Sequence, residues 1–188
     1  MELYEKTVSS EEKFKGVIVD VRLDRIELPN GRPATREVVS HPGGVAILPL
    51  HDDGTVTVVR QFRYPFGREM LEVPAGKLEK GEDPYECAVR ELSEETGLTA
   101  GRMQYLGANF TSPGYSEEVL HIYLARDLHR GAAHLDPGEF LNVERHPLEE
   151  LVQMALDGEL CDGKTTVALL KTQLLLARER GEAASGGL

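Results

Sequence analysis

The amino-acid sequence predicts an α/β protein, an α/β/α sandwich built on a mixed sheet, with a small antiparallel sheet added at the N-terminus. The segment GVAILPL (44–50) is almost continuously apolar, which indicates a strand that is buried on both faces. Shorter strand-like segments surround it, and three segments with helical features follow at 83–97, 147–158 and 164–180. Strands mixed with helices in this way favour a sheet that is covered by helices.

The first forty residues contain short strand-like segments of their own. Apolar residues alternate from Val17 to Leu23, the period of a half-buried strand, and Asn30-Gly31 is a hairpin turn signal. The HPGG segment (41–44) indicates a boundary. The chain is therefore predicted to consist of an N-terminal antiparallel sheet (1–42), a main domain (43–180) and a frayed tail (181–188).

Further strands of the main domain are predicted on both sides of the central helix. The HDDG turn (51–54) is expected to return the chain so that TVTVVRQF (55–62) pairs with 44–50 as a hairpin. The EMLEVPAG segment (69–76) leads into a glycine-containing loop. The polar stretch from Arg126 to Glu139 is predicted to be a long loop. Other strands are expected at 104–109, 119–125 and 140–146.

The central helix has clear start and stop signals. Asp83 can cap its N-terminus, Glu86 completes a D-x-x-E capping box, and Gly97 supplies the residue that ends it. Ala88 and Leu92 lie four residues apart and form an apolar stripe that can be buried. The helix is therefore expected to pack one face against the sheet.

The opposite face of this helix, with the loop before it, is rich in carboxylates. Glu91 and Glu95 lie one turn apart, and like charges at that spacing cost roughly 0.2–0.5 kcal/mol. A solvated acidic face balanced by Arg90 is one interpretation. A divalent cation held by several carboxylate oxygens explains the loop glutamates as well, and we favour it. The glutamates in this stretch are Glu79, Glu82, Glu86, Glu91, Glu94 and Glu95.

Read as G-x5-E-x7-R-E-L-x-E-E-x-G-L, residues 76–98 resemble the Nudix box. The fixed positions in register are Gly76, Glu82, Arg90, Glu91, Leu92, Glu94, Glu95, Gly97 and Leu98. The resemblance implies a Nudix-type fold and a loop–helix–loop that holds two or more Mg2+ or Mn2+ ions against a diphosphate. The implied metal-binding residues are Glu91 and Glu95, with Glu94 and Glu79 nearby and the backbone carbonyl of Ala75. Glu82 is implied as an outer ligand or as the partner that orients Arg90.

Composition limits the other possibilities. The chain has 188 residues, enough for one domain with a small appendage, and a formal net charge of −11 without a basic stripe, which argues against a nucleic-acid partner. Cys87 and Cys161 form no metal-binding spacing, and Cys87 is expected to be a buried free thiol. No apolar run approaches membrane-spanning length, and the first residues do not resemble a signal peptide. A cytoplasmic protein without a membrane partner is expected.

Segments outside the box resemble ADP-ribose pyrophosphatases, so that the resemblance covers roughly residues 36–172. Pro113, followed by Gly114, lies fifteen residues beyond Leu98, the position that marks ADP-ribose-type enzymes in this family. Arg63 matches a phosphate-binding arginine of the subfamily. For Arg60, binding of phosphate and pairing with a nearby glutamate remain equal alternatives.

The resemblance also implies a catalytic base and a second subunit. Glu139, in the DPGEF loop (136–140), is the first candidate for the base that activates water, and Glu144 in the following strand is the competing candidate. The N-terminal sheet is implied to be exchanged with a second copy in a homodimer. Arg36 and Glu37 are then candidates for holding the adenine, with plain strand positions as the alternative.

The implied reaction is the metal-dependent hydrolysis of the diphosphate bond of ADP-ribose to AMP and ribose 5-phosphate. Cations would neutralise the phosphate oxygens before water attacks one phosphorus in line. Other nucleoside diphosphate derivatives, such as GDP-mannose, NADH or FAD, remain alternative substrates. A non-catalytic ADP-ribose-binding module is a less favoured alternative, because such modules usually lose box glutamates and this box is complete.

Overall fold

The structure is a computed structural model and describes residues 2–132, 138 and 140–181. The chain divides into two compact units, residues 1–43 with 110–119 and residues 44–109 with 120–188. Of the predicted tail, Gly181 alone is described. None of the helices in the described ranges combines the length and the apolar character needed to cross a membrane.

The secondary structure consists of ten strands, three α-helices and one short 3-10 helix at Tyr64–Phe66 within those ranges. The strands are β1 (Lys6–Lys15), β2 (Asp20–Glu27), β3 (Pro33–Ser40), β4 (Gly44–Pro49), β5 (Thr55–Arg63), β6 (Arg68–Glu72), β7 (Ala75–Lys77), β8 (Leu98–Phe110), β9 (Val119–Arg130) and β10 (Leu141–Pro147). The helices are α1 (Pro84–Thr96), α2 (Leu148–Leu156) and α3 (Gly163–Glu179).

The first unit contains an antiparallel sheet in the order β1-β2-β3. The predicted turn at Asn30-Gly31 joins β2 to β3, and Gly31 has the positive φ of 79° that the turn requires. The predicted alternation from Val17 was wrong. Val17 is 98% exposed, because a turn closed by the bond from Gly16 N to Val19 O precedes the strand. The buried positions of β2 are Asp24 and Ile26, which have the opposite parity.

The second unit contains the predicted mixed sheet, in the order β7-β4-β9-β8. Strand β4 is antiparallel to β7, parallel to β9 and buried along its whole length, which confirms the prediction from its apolar sequence. Val45 and Ile47 belong to a core cluster with the α1 residues Ala88 and Leu92. The alternate residues of β4 pack into a larger cluster that includes residues of α2 and α3. The sandwich architecture is therefore confirmed.

The predicted β4–β5 hairpin is wrong. Strand β5 lies in a separate antiparallel sheet with the order β10-β5-β6. Strands β7 and β9 pair with the two edges of β4, so β5 has no free edge of β4 to pair with. An isolated bridge between Leu50 and Val56 connects the two sides of the turn. A short turn between two strands does not determine whether they share a sheet, because the chain can change sheets at the turn.

The predicted loop from Arg126 to Glu139 begins later than expected. Strand β9 continues to Arg130, and Arg126 forms a two-bond ion pair with Glu179 of α3 at 3.0 and 3.1 Å. Long charged side chains at the end of a strand can be solvated or paired. The polar sequence after Ala125 therefore did not indicate where β9 ends. The segments predicted as helices after β10 form α2 and α3.

Candidate active site

Helix α1 carries the carboxylates of the candidate site. Its position is set by residues that cap its two ends and by an apolar face that packs into the core. The side chain of Asp83 accepts a hydrogen bond from Tyr85 N at 2.8 Å, and Gly97 ends the helix with a φ of 67°. Ala88 and Leu92 are 0% and 1% exposed, respectively. Their burial orients the carboxylates of the opposite face towards the preceding loop.

Arg90 is the centre of an ion network on that face. Its Nε and Nη2 donate to the two oxygens of Glu82 at 2.9 and 3.1 Å, and its Nη1 donates to Glu91 at 2.8 Å and to Glu94 at 2.9 Å. The hydrogen bond from Arg90 lowers the pKa of Glu82 to about 2. Glu82 also accepts from Glu79 N at 2.9 Å, and thus ties the loop to the helix.

Cys87 lies in the same helix and is a buried free thiol, as predicted. Burial, followed by the negative charge of Glu82, raises its pKa to about 12. The thiol is therefore protonated at neutral pH and is a poor nucleophile.

Two glutamates of α1 meet the backbone of the loop at Ala75 and Gly76. Glu91 and Glu95 are 8% and 4% exposed. A Cβ placed on Gly76 would lie 1.8 Å from Glu91 Oε1, so the carboxylate of Glu91 occupies the space that glycine leaves. Glu95 Oε2 accepts a hydrogen bond from Ala75 N at 3.1 Å. Two buried carboxylates therefore converge on one short segment of backbone.

This arrangement fits a Mg2+ or Mn2+ ion by its chemistry. In the part of the chain that the structure describes, no three His, Cys, Asp or Glu side chains are grouped so that they could hold an ion. Mg2+ is commonly bound by one or two carboxylates together with water and substrate phosphates, and not by a complete protein cage. Glu91, Glu95 and the Ala75 carbonyl offer hard oxygen donors of the required kind. The side chain of Glu79 is exposed to solvent in the preceding loop.

Arg63, at the end of β5, is bound by a residue that the sequence did not single out. Its Nε and Nη2 each donate to the carboxylate of Glu72 at 2.6 Å. Lys164 of α3 also binds Glu72. Burial works to raise the pKa of Glu72, but the bonds and charges of Arg63 and Lys164 outweigh it, so the pKa lies below its usual value. The signal in the sequence was Glu72, a charged residue between the apolar Leu71 and Val73.

Arg60 and Glu144 pair with each other across β5 and β10. Arg60 Nε lies 2.5 Å from Glu144 Oε1, and His146 Nε2 lies 3.0 Å from Glu144 Oε2. The hydrogen bond from Arg60 lowers the pKa of Glu144 to about 2. For Arg60 the structure thus has the glutamate pairing that was one of its two predicted alternatives.

Family models match both parts of the chain. One described as the NUDIX domain matches residues 40–169, and one described as the nucleoside diphosphate sugar hydrolase N-terminal domain matches residues 5–39. The chain belongs to the Nudix family. The resemblance drawn from the box residues is therefore confirmed.

Relatives of this Nudix protein extend over nearly the whole chain. An ADP-ribose pyrophosphatase of Bacillus subtilis is 43% identical, over 92% of this chain and 94% of the relative. A methanol dehydrogenase activator of Bacillus methanolicus is 41% identical, over 90% and 93%. A crystal structure of an ADP compounds hydrolase has a TM-score of 0.83 over 97% of this chain and 100% of the other, and at 22% identity it supports the fold alone.

The remaining predicted residues belong to the first unit or lie outside the described residues. Arg36 is in β3 of the first unit, where it donates to both oxygens of Glu5 at 3.0 and 2.6 Å, and the neighbouring Glu37 is exposed. Pro113 and Gly114 lie in a turn of the same unit. Their predicted contacts with substrate remain predictions. Glu139 lies outside the described residues.

Proposed function

We propose that this Nudix protein hydrolyses the diphosphate bond of ADP-ribose to AMP and ribose 5-phosphate, with Mg2+ or Mn2+ as the cofactor. The observation that carries the proposal is the convergence of Glu91 and Glu95 on the Ala75–Gly76 backbone. The hydrogen bond to Glu72 raises the pKa of Arg63, and the charges of Glu72, Asp162 and Glu95 act in the same direction. Two carboxylates that can bind a cation and an arginine that can bind phosphate thus belong to the same compact unit, which supports the proposal.

Each group has a separate task in this proposal. Bound cations supply neutralisation of the diphosphate charge and polarise the phosphorus. Arg63 orients the phosphate oxygens with its planar guanidinium. Arg90 holds Glu82, Glu91 and Glu94 in one arrangement, so that the carboxylates are in place before the substrate binds.

The base that activates water is assigned to Glu139. An efficient base has a pKa near the working pH, whereas the pKa of Glu144 is lowered to about 2 and its oxygens are held by Arg60 and His146. Glu144 is better explained as the residue that holds Arg60. Glu139 lies in the segment that the sequence predicts to be a loop, and a loop carboxylate is suited to close over a bound substrate.

We favour ADP-ribose over other nucleoside diphosphate derivatives as the substrate for two reasons. The Bacillus subtilis relative is an ADP-ribose pyrophosphatase, and Pro113 lies at the position that marks ADP-ribose-type enzymes. GDP-mannose, NADH and FAD are the alternatives, and the residues that hold the base decide between them. A binding module without activity is disfavoured because every box carboxylate is present.

We further propose a homodimer in which the sheet of residues 1–42 serves as the dimerisation element of the 43–180 catalytic domain. Strand β1 lies at the edge of its sheet, and all ten of its residues are exposed, including Val8 at 66% and Phe14 at 56%. An exposed ten-residue edge with apolar side chains is a surface for pairing with another chain. Exchange of this sheet would carry Arg36 and Glu37 to the partner's substrate. A cytoplasmic location agrees with the substrate class.

A substrate panel tests the proposed function. The wild-type protein is incubated in the presence of Mg2+ with ADP-ribose, GDP-mannose, NADH or FAD in separate reactions. The products of each reaction are then separated and identified. We expect the highest kcat/KM for ADP-ribose, with AMP and ribose 5-phosphate in equal amounts. Faster cleavage of another compound would assign the substrate differently and leave the chemistry of the site unchanged.

A further inference from the structure

A group of four charged side chains, with the buried Glu72 at its centre, joins the strands β5 and β6 to the beginning of α3. The side chain of Glu72 is 1% exposed and binds both Arg63 and Lys164. Lys164, 10% exposed, also lies 3.0 Å from Asp162. Two cations and two anions are thus held together, and no member belongs to the Nudix box.

Stability alone is a weak reason for such a group. Removing charges from water is costly, and well-packed apolar residues in the same place are often equally stable or more so. What the group does achieve is a fixed geometry. Glu72 occupies the Nε and Nη2 edge of the Arg63 guanidinium, while Nη1 has no hydrogen-bond partner among residues 2–132, 138 and 140–181. The side chain of Arg63 is 39% exposed.

The start of α3 also holds the backbone next to Glu72. Thr165 Oγ1 accepts a hydrogen bond from Val73 N at 2.9 Å and donates one to Asp162 Oδ2 at 2.5 Å. Asp162 in turn caps α3 by accepting from Thr165 N at 3.0 Å. Two residues further along, Ala75 N donates to Glu95. The start of α3 therefore holds Glu72, the partner of Arg63, and also the backbone two residues before Ala75.

Lys164 affects the charge as well as the geometry. An isolated Arg63–Glu72 pair would be neutral and would attract an anion weakly. Lys164 binds the same carboxylate, so Arg63, Glu72 and Lys164 together carry one positive charge. Asp162, which balances it, lies at the positive end of the α3 dipole. Lys164 thus offsets part of the negative charge that Glu72 places beside Arg63.

We propose that Glu72, supported by Lys164, is a positioning residue that holds Arg63 with its unbonded edge towards the substrate diphosphate. This inference rests on the proposed function, because Arg63 is the group that touches substrate there. Glu72 itself acts through Arg63 and has no contact with the reacting atoms. The expected consequence of losing Glu72 is weaker binding of the diphosphate, with metal binding unchanged.

The test replaces Glu72 with glutamine, which keeps the size of the side chain and removes its charge. We expect Glu72→Gln to raise the KM for ADP-ribose roughly ten- to a hundredfold, while the half-saturating Mg2+ concentration stays the same. The matched control is Glu179→Gln, which breaks the two-bond pair with Arg126. It is expected to leave KM within about twofold of wild type, since an ion pair away from the site contributes little.

A double-mutant cycle separates positioning from general stability. If Glu72 acts through Arg63, Glu72→Gln adds almost nothing to the KM of Arg63→Lys, because the oriented guanidinium is already gone. An equal rise of KM in both backgrounds, or a Glu72→Gln enzyme with the wild-type KM, would overturn the proposal. If Glu72→Gln does not fold, the double variant Glu72→Gln with Lys164→Met keeps the charges balanced and is expected to show the same rise of KM.

The two proposals fail in different ways. Absence of hydrolysis by the wild-type protein on every diphosphate substrate would reject the proposed function. In that case the dissociation constant of ADP-ribose is compared between wild type and Glu72→Gln. A roughly ten- to a hundredfold weaker complex still supports the positioning of Arg63, and an unchanged complex rejects it.

Discussion

The carboxylate of Glu91 lies against Gly76, where an added Cβ would approach Glu91 Oε1 to 1.8 Å. The two residues are fifteen positions apart, and the loop and α1 bring them together. Glycine at position 76 is thus needed for space, because a larger residue would occupy the place of the carboxylate. The geometry of the site therefore depends on the absence of a Cβ atom at position 76.

The first prediction follows from that contact. Gly76→Ala is expected to displace the Glu91 carboxylate and to lower kcat/KM strongly, because a displacement of about 1 Å at a site can cost on the order of 10²-fold. The melting temperature is expected to change little, since the displaced group is the flexible end of a side chain. Gly163→Ala is the control, because nothing lies within 4 Å of its Cβ. Equal activities of the two variants would contradict the assignment.

The second prediction concerns the catalytic base. Glu139→Gln is expected to lower kcat and kcat/KM together, by about 10²–10⁴-fold, as general-base loss does. The half-saturating Mg2+ concentration is expected to stay constant. Glu144→Gln is expected to weaken the hold on Arg60 and to have the smaller effect on kcat. If Glu144→Gln is the slow enzyme and Glu139→Gln is not, the base lies in β10.

The third prediction is a pH dependence in the first unit. Arg22 donates to both oxygens of Glu117, at 3.1 and 2.6 Å, and Ser40 adds a bond at 2.7 Å. The bond from Arg22 lowers the pKa of Glu117 to about 2. Because the pKa is lower in the folded state, the stabilisation is fully present above the unfolded pKa of about 4.3 and is lost as the pH falls towards 2.

Thermal unfolding of wild type and Glu117→Gln at several pH values checks this. The wild type is expected to melt higher at pH 6 to 7. The difference should shrink below about pH 4.3 and vanish near pH 2. A difference that does not change over this range would show that Glu117 stabilises the unit by other means than its charge.

The fourth prediction concerns assembly. Val8→Lys places a charge on the exposed edge strand β1 and is expected to shift the protein from dimer to monomer, with a loss of activity. Sedimentation at micromolar concentration measures the change. Leu174→Lys on α3, 57% exposed, is the control and is expected to remain dimeric. A wild-type protein that sediments as a fully active monomer would contradict the proposed homodimer.

The sequence predicts those parts of the site whose residues lie at fixed spacing on one element. Glu91 and Glu95 are one helical turn apart, so their common face follows from the period of the helix. The partnership of Glu72 with Lys164 joins residues 92 positions apart on different elements. No local pattern contains it. The wrong pairing of β5 with β4 has the same origin. Which sheet a strand joins depends on the packing of the whole unit, and a local sequence pattern does not contain that information.

The variants Glu91→Gln and Glu95→Gln test whether these two carboxylates bind the metal that turnover requires. Both carboxylates are buried, and their like charges disfavour the helix without a cation, so neither substitution is expected to lower the stability much. Formation of AMP from ADP-ribose is measured against Mg2+ concentration, together with the melting temperature. We expect at least about 10²-fold lower turnover in each variant, with folding intact. Near wild-type turnover of both variants at saturating Mg2+ would contradict the assignment of this site.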